Sequence, residues 1–323
     1  MTAMDTTAGD ELVVATEVFD AADASPAAAK RDRRRRFRVT PGRIVTHILL
    51  MAGSLFMILP FYWMIVTSLK GTGEIARFPP SWIPTSWRFA NYSEALDAAP
   101  FHYYFRNSLI RAGTHTVTQV ILGSLGGYAL ARIRFRGREI VFIGIVAMLM
   151  MPTYTIIVTQ FLMVKKAPLF GGNDILGVGG TGWLDTWWAL LIPGALSPMT
   201  VFLFRQFYLS LPRELEEAAR LDGLSEFQTY LRIMTPLVKP AIITIALLRF
   251  QESWNNFLWP LLVTTREDLR VIQLGLAVFR QSDQTSWAYL MAGTTLATLP
   301  IILLFIVGQK YFIQGINRSG LKG

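Results

Sequence analysis

Six long stretches of apolar residues alternate with polar segments along the chain. They span residues 44–67, 109–131, 140–164, 186–207, 241–264 and 288–312. A helix needs about 20 apolar residues to cross the hydrocarbon core of a bilayer, and each stretch is long enough. The second stretch is the least clear, because polar side chains such as Arg111 and His115 crowd its first half. The pattern predicts an all-α membrane protein with six transmembrane helices.

The residues before the first apolar stretch have a different composition. They are rich in Ala and acidic residues at first, and they become strongly basic from residue 30 onward. The paired arginines there are typical of an export signal, but such a signal has a shorter apolar region and a small-residue cleavage site. The sequence therefore predicts a disordered cytoplasmic extension over residues 1–43 and a transmembrane domain over residues 44–323.

Basic residues are concentrated in alternate polar segments. These are the N-terminal extension, the loops after the second and fourth apolar stretches, and the C-terminal tail. Lys and Arg collect in the cytoplasmic loops of membrane proteins, so both termini are predicted to be cytoplasmic. Topology therefore accounts for the net charge of +9 without a nucleic-acid partner.

Residue types with catalytic or metal-binding chemistry are scarce. The chain has no Cys, and its three His residues lie far apart in the sequence. Thiolates and imidazoles dominate zinc sites, so we expect neither a metal site nor a catalytic residue. A Gly-rich segment at residues 171–182 lacks the Lys and Ser/Thr of a phosphate-binding loop, and it is predicted to be a flexible outer loop.

The polar segment between the fourth and fifth apolar stretches contains a distinctive motif. Glu217, Ala218 and Ala219 are followed by Asp222 and Gly223. The two alanines would leave a smooth helix surface for close approach of another protein. The glycine favours a left-handed end to that helix. The alternative is an ordinary amphipathic helix at the membrane surface.

The residues around this motif predict where its two short helices begin. Pro212 is expected in the first turn of the first helix, where its missing N–H costs nothing. Acidic residues follow it and favour the positive end of the helix dipole. Ser225 and Gln228 are spaced for a capping box that starts a second helix. The segment is therefore predicted to form two short helices around a glycine hinge.

With its flanks, this segment resembles the coupling loop of the inner-membrane permeases of ABC importers. The motifs that carry the resemblance lie in order at residues 107–109, 128–132, 207–223, 254–260 and 309–323. Within that family the chain is similar to the shorter, maltose-type second permease of carbohydrate importers, over residues 44–323. Two features depart from the family pattern: Thr235 replaces the Leu before the proline of the motif, and the outer loop at residues 171–182 is longer.

The resemblance implies a permease subunit of a binding-protein-dependent ABC importer for a sugar, in the cytoplasmic membrane of a prokaryote. The implied partners are a second homologous permease, two ABC ATPase subunits, an extracytoplasmic sugar-binding protein and the sugar itself. ATP and Mg would be used by the ATPase subunits, with no cofactor bound by this chain. Coupling to the ATPase is assigned to Glu217, Ala218, Ala219, Asp222 and Gly223.

The fifth apolar stretch carries polar side chains at helical spacing. Gln251 and Asn255 are four residues apart, as are Glu252 and Asn256, so each pair shares a helix face. Polar groups at membrane depth are expected to face protein or water. Side-chain amides suit sugar hydroxyls, and an indole suits the apolar face of a sugar. We predict that Gln251, Trp254, Asn255 and Asn256 line the substrate path; bonds between helices are the alternative.

Two further predictions concern polar groups inside the apolar stretches. Arg249 and Glu252 are expected to pair with each other. The polar half of the second stretch is a second candidate lining of the path, through Thr114, His115, Thr118 and Gln119.

Two other functions remain possible from the sequence. An ABC permease for an amino acid or a peptide would share the coupling motif, and only the terminal motif and the Trp-Asn motif of the fifth stretch favour a sugar. An ion-coupled secondary transporter would need its own ion site and would have no use for a coupling loop.

Overall fold

The computed structural model of the protein describes residues 41–280 and 285–319. Residues 1–40 of the predicted extension and the last four residues of the terminal motif lie outside these ranges. The described residues form helices and loops, with one isolated β-bridge between Arg280 and Thr285. The predicted all-α class is confirmed for this part of the chain. The chain divides into two units, one ending at Leu59 and the other beginning at Pro60.

Fifteen α-helices are described within these ranges. They are α1 Pro41–Ser68, α2 Thr72–Ile75, α3 Ala90–Asp97, α4 Phe101–Arg132, α5 Arg138–Met150, α6 Thr153–Lys165, α7 Trp187–Leu191, α8 Pro198–Leu209, α9 Glu214–Leu221, α10 Glu226–Thr229, α11 Thr235–Leu237, α12 Lys239–Trp254, α13 Leu258–Val263, α14 Ile272–Ala277 and α15 Trp287–Ser319. A π-helical turn, Tyr230–Met234, joins α10 to α11, and a 3₁₀ turn, Glu267–Leu269, precedes α14.

Helices α1 and α15 are each long and apolar enough to cross a bilayer. Counting each of two bent helix pairs as one span raises this number to four in the described residues. Helix α4 contains the whole second apolar stretch and is continuous, although its polar residues lower its mean hydropathy. Six spans therefore remain a prediction, of which α1, α4 and α15 are the unbroken members.

Each of the other three predicted spans is divided between two helices in the structure. The third is divided between α5 and α6, the fourth between α7 and α8, and the fifth between α12 and α13. Met151 and Ser197 have extended backbones directly before Pro152 and Pro198. Proline disfavours the helical conformation at the residue before it, and here both residues take an extended conformation, so the helix stops there. The length of an apolar stretch carries no information about such breaks.

Helix α4 lies at the centre of the second unit. It packs along α8 and α12, and α12 packs against α15. Gly123 and Gly127 bring α4 close to α8: a Cβ at Gly127 would lie 2.5 Å from Cβ of Phe204, and one at Gly123 would lie 2.5 Å from Cγ2 of Thr200. Small residues four apart allow two membrane helices to approach closely.

The polar side chains in the first half of α4 bind other parts of this chain. Nδ1 of His115 lies 3.0 Å from Oγ of Ser253, and Arg111 donates to the Ser253 carbonyl at 2.7 Å. Gln119 donates to the carbonyl of Gly194 at 2.8 Å. His115 and Gln119 are buried, so they hold helices together and do not line a path in this conformation. The helix-bonding role was not assigned because the partners are distant in sequence.

The Gly-rich segment at residues 171–182, predicted to be a flexible outer loop, is hydrogen-bonded to the end of α6. The buried side chain of Asn173 donates to the carbonyls of Lys165 and Ala167 at 2.9 and 3.0 Å. It also accepts from the N–H of Gly180 at 2.8 Å. One side chain therefore closes the loop onto the end of α6.

Candidate functional site

The predicted glycine hinge forms the end of α9. Gly223 has a φ of +77°, a left-handed conformation. Its N–H donates to the carbonyl of Arg220, and the N–H of Leu224 donates to the carbonyl of Ala219, each at 3.0 Å. This pair of bonds is the Schellman motif, which satisfies the last carbonyls of a helix. The left-handed helix end predicted for Gly223 is confirmed.

The starts of the two short helices agree with the sequence in one case only. At α10, Gln228 donates its N–H to Oγ of Ser225 at 3.3 Å, and the Ser225 N–H donates to Oε1 of Gln228 at 2.9 Å. The capping box is therefore confirmed. Helix α9 begins at Glu214, with Arg213 as its N-cap, so Pro212 lies just outside the first turn instead of within it.

The predicted coupling residues lie on two sides of α9. Glu217, Ala218, Asp222 and Gly223 are exposed. Ala219 is 1 % exposed and belongs to the interior of the chain. Its small side chain is covered in this conformation, whereas the other four are available to a partner.

Three large apolar side chains on the same segment are exposed, and sequence reasoning missed them. Leu221 is 89 % exposed, and Phe227 and Leu231 are also exposed. Large exposed apolar side chains are a feature of interaction sites, so this segment is a candidate docking surface. The available signal was the presence of large apolar residues in an otherwise polar segment. We call Glu217, Ala218, Leu221, Asp222 and Phe227 the coupling face.

Arg132, at the end of α4, ties α8 to α9. Its Nε donates to the carbonyl of Tyr208 at 3.0 Å, and its Nη2 donates to the carbonyl of Leu211 at 2.5 Å. Nε also lies 3.3 Å from Oε1 of Glu216, and both side chains are largely buried. Burial raises the pKa of Glu216 above its ordinary value of 4.5, and the facing guanidinium of Arg132 opposes that rise. The sequence placed Arg132 in a motif without indicating this contact.

A hydrogen-bonded tyrosine cluster joins α4, α8 and the π-helical turn. The hydroxyl of Tyr208 lies 2.7 Å from Oγ of Ser124, and Tyr230 donates to the same Oγ at 3.0 Å. Oγ1 of Thr235 lies 3.4 Å from the hydroxyl of Tyr208. Thr235 stands where the family pattern has Leu, so this replacement adds a polar contact. Tyr128 packs edge-on to Tyr208. The π-helical turn that follows α10 is therefore in direct contact with α4 and α8.

The stretch that follows α9, Glu226–Leu237, meets α12 at a steep angle. The stretch Glu226–Leu237 and the helix Lys239–Trp254 are inclined by 80°.

The four predicted path residues divide into two pairs. Gln251 and Asn255 are exposed, and Oδ1 of Asn255 accepts from Gln273 at 3.4 Å. Glu252 is exposed beside them and pairs with Arg249 at 2.5 Å, which confirms the predicted ion pair. These groups form a polar strip on the outside of this single chain.

Trp254 and Asn256 have structural partners within the chain. Trp254 is buried, and its Nε1 donates to the carbonyl of Ala297 at 3.0 Å. Oδ1 of Asn256 accepts from the N–H of Trp259 at 3.3 Å, near the start of α13. In this conformation these two side chains hold α15 and α13 in position, and Gln251 and Asn255 are the members available to a ligand.

Comparisons with known proteins agree on one family. The model of the binding-protein-dependent transport system inner membrane component matches residues 119–318. The arabinooligosaccharides transport system permease protein of Bacillus subtilis is 34 % identical over 284 residues, which cover 87 % of this chain and 96 % of that protein. The trehalose/maltose transport system permease protein of Thermococcus litoralis is 30 % identical over 289 residues, covering 87 % and 98 %.

The fold is also shared with a solved structure. A chain in the crystal structure of a bacterial ABC transporter for the acidic polysaccharide alginate superimposes with a TM-score of 0.70 at 23 % identity. The match covers 83 % of this chain and 95 % of that one. At this identity the likeness establishes the fold alone.

Proposed function

The chain belongs to the family of binding-protein-dependent transport system inner membrane components, and from this premise we propose that it forms, with a second permease, the path of an ABC importer for a mono- or oligosaccharide. The chain is a transporter subunit, and ATP hydrolysis belongs to a separate subunit. The observation that supports this function most strongly is the coupling face. There Leu221 is exposed beside acidic residues on α9, and α9 is bound to the end of α4 through Glu216 and Arg132. The sugar class follows from the arabinooligosaccharide and trehalose/maltose relatives.

The proposed arrangement is a multi-pass protein of a prokaryotic cytoplasmic membrane. It has six spans, cytoplasmic termini, an N-terminal extension over residues 1–43 and a transmembrane domain over residues 44–323. The distribution of Lys and Arg supports this orientation. The interrupted helices are compatible with it, because transporters tolerate broken helices where the backbone is covered by protein or lines a cavity.

Two kinds of protein partner are supported by exposed surfaces. Two ABC ATPase subunits serve the importer, and the coupling face of this chain docks on one of them. The polar strip of Gln251, Glu252 and Asn255 would be costly to expose to lipid, so it faces a second homologous permease or the water-filled path between the two. An extracytoplasmic sugar-binding protein delivers the substrate, and this chain binds no cofactor of its own.

The proposed mechanism is rigid-body switching. Closure of the ATPase subunits on ATP and Mg displaces α9 through Glu217, Ala218, Asp222 and Gly223, with buried Ala219 as its inner packing surface. Arg132 and the tyrosine cluster pass the displacement to α4 and α8, and the 80° junction passes it to α12. The path then alternates between outward-facing and inward-facing states.

Reconstitution tests this function. The full importer, with its binding protein, is placed in proteoliposomes and given radiolabelled trehalose, maltose or arabinobiose. We expect uptake of at least one sugar that requires ATP and stops when the partner ATPase is inactivated. ATP-dependent uptake of amino acids or peptides in place of sugars would assign another solute class. Ion-driven uptake by this chain alone would overturn the proposal in favour of a secondary transporter.

Removal of the exposed amides of α12 tests the substrate path. The double substitution Gln251→Ala with Asn255→Ala is expected to reduce sugar uptake about thirtyfold, because two hydrogen bonds of about 1 kcal/mol each would be lost. Assembly with the ATPase should be unchanged. The matched control is Gln206→Ala, another exposed glutamine, on α8. Wild-type uptake by the double variant would exclude these residues from the path.

A further inference from the structure

A cavity of about 620 Å³ lies where the end of α1, helix α2 and the start of α15 meet. Its lining includes Trp63, Thr67, Lys70, Glu74 and Trp287. None of these residues belongs to the coupling face or to the polar strip of α12. In the proposed orientation the cavity is on the outer side of the membrane. Its size is within the usual range of about 300–1,000 Å³ for small-molecule sites.

Two lining residues carry buried oxygens that have no hydrogen-bond partner. Thr67 is 5 % exposed, and its Oγ1 is unpaired. Glu74 is 8 % exposed; its Oε1 accepts from Oγ of Ser81 at 2.7 Å and from the N–H of Thr85 at 2.9 Å, whereas its Oε2 is unpaired. Buried polar atoms are nearly always satisfied, so these two are suited to a ligand that brings hydroxyl groups.

The charges of the cavity favour a neutral ligand. Lys70 is buried, donates from Nζ to the carbonyl of Ser81, and lies over the indole of Trp63 with Nζ 4.6 Å from the ring centroid. Its ammonium offsets the carboxylate of Glu74. An anionic ligand would be attracted by the ammonium of Lys70 and repelled by the carboxylate of Glu74, so it would gain little net electrostatic energy.

Two indoles contribute to the apolar wall of the cavity. Trp287 and Trp63 both line it, and Trp287 is 50 % exposed, so part of its indole is free to contact a ligand. The C–H face of a sugar ring packs well on an indole, whose size makes it a strong apolar contact. Hydroxyl donors and acceptors beside an indole are the combination that a sugar requires.

We propose that this cavity is a second sugar-binding site, in which a neutral mono- or disaccharide packs on Trp287 and is bonded by Thr67 and Glu74. The proposal rests on the proposed function for the outer orientation and for the sugar class. The site shares no lining residue with the polar strip of α12, so substitutions can test the two separately.

Equilibrium binding of radiolabelled trehalose, maltose and arabinobiose to the full importer in nanodiscs, without ATP or binding protein, tests the site. Trp287→Ala is expected to weaken binding at least about fivefold through loss of the aromatic contact. Thr67→Val, which keeps the shape of the side chain, should also weaken it. The matched control is Trp87→Ala, a 58 % exposed outer-side tryptophan that packs on Phe89 and does not line the cavity.

The outcomes separate this site from the proposed function. Wild-type affinity in both cavity variants, an equal loss in Trp87→Ala, or no binding of any of the three sugars would overturn the site. Binding that depends on Trp287 and persists in Gln251→Ala supports it. If such binding is found but ATP-driven sugar uptake is absent, the proposed function fails and the site stands.

Discussion

Replacing Leu221 with aspartate is expected to abolish ATP-driven sugar uptake and to release the ATPase from the purified importer. Leu221 is 89 % exposed on α9, so its side chain contributes little to the interior of its own chain. A central apolar contact is worth about 2–4 kcal/mol, and burying a carboxylate in its place adds a desolvation cost. The measurement is the amount of ATPase that co-purifies with the permease from detergent-solubilised membranes.

The control for Leu221→Asp is Leu176→Asp. Leu176 is 79 % exposed in the Gly-rich outer loop, so the same chemical change is made on the opposite side of the membrane in the proposed topology. This variant should retain the ATPase, and Leu221→Met should retain most of it. Wild-type recovery of the ATPase with Leu221→Asp would mean that the coupling face does not dock there.

Replacing Arg132 with alanine is expected to destabilise the permease and to uncouple ATP hydrolysis from uptake. The change leaves the Glu216 carboxylate buried without its cation and leaves the carbonyls of Tyr208 and Leu211 without their donor. Removing one partner of a buried ion pair costs about 3–5 kcal/mol. The measurements are the melting temperature of the solubilised importer and the ratio of sugar imported to ATP hydrolysed.

Two variants distinguish the Arg132 contacts from a general effect of charge. Arg136→Ala removes an exposed arginine four residues further along and should leave both measurements unchanged. Glu216→Gln removes the carboxylate that titrates and keeps the shape of the side chain. An unchanged melting temperature in Arg132→Ala would show that the buried contacts do not stabilise the protein.

The pH dependence of Glu216→Gln has a definite sign. Burial raises the folded-state pKa of Glu216 above 4.5, so the folded chain holds this proton more tightly than the unfolded chain. The contribution of Glu216 to stability therefore falls as pH rises from about 4.5 through the folded-state pKa. Glu216→Gln should flatten that part of the stability profile; the same slope in both proteins would contradict the assignment.

Features whose partners are close in sequence were predictable. The left-handed end at Gly223, the capping box of Ser225 and Gln228, and the pairing of Arg249 with Glu252 all join residues within about one helical turn. Helix geometry fixes such neighbours before any tertiary contact forms. The local geometry around Gly223 was predictable for this reason, and the family of the chain was recognisable from motifs that lie in order along the sequence.

The roles of residues with distant partners were not predictable. Trp254 resembled a sugar platform but bonds to Ala297, 43 residues away, and His115 resembled a path residue but contacts Ser253, 138 residues away. Periodicity places a side chain on a helix face, but it does not say which helix that face meets.

The sequence by itself determined the all-α membrane class, the charge asymmetry that predicts the orientation, the two short helices around Gly223 and the family. All of these depend on local spacing or on composition averaged along the chain. Only the tertiary structure decided that Leu221 is exposed while Ala219 is covered, that Arg132 binds Glu216, and that an outer cavity contains unpaired oxygens. Burial and pairing depend on which helices approach each other, and that follows from the packing of the whole chain.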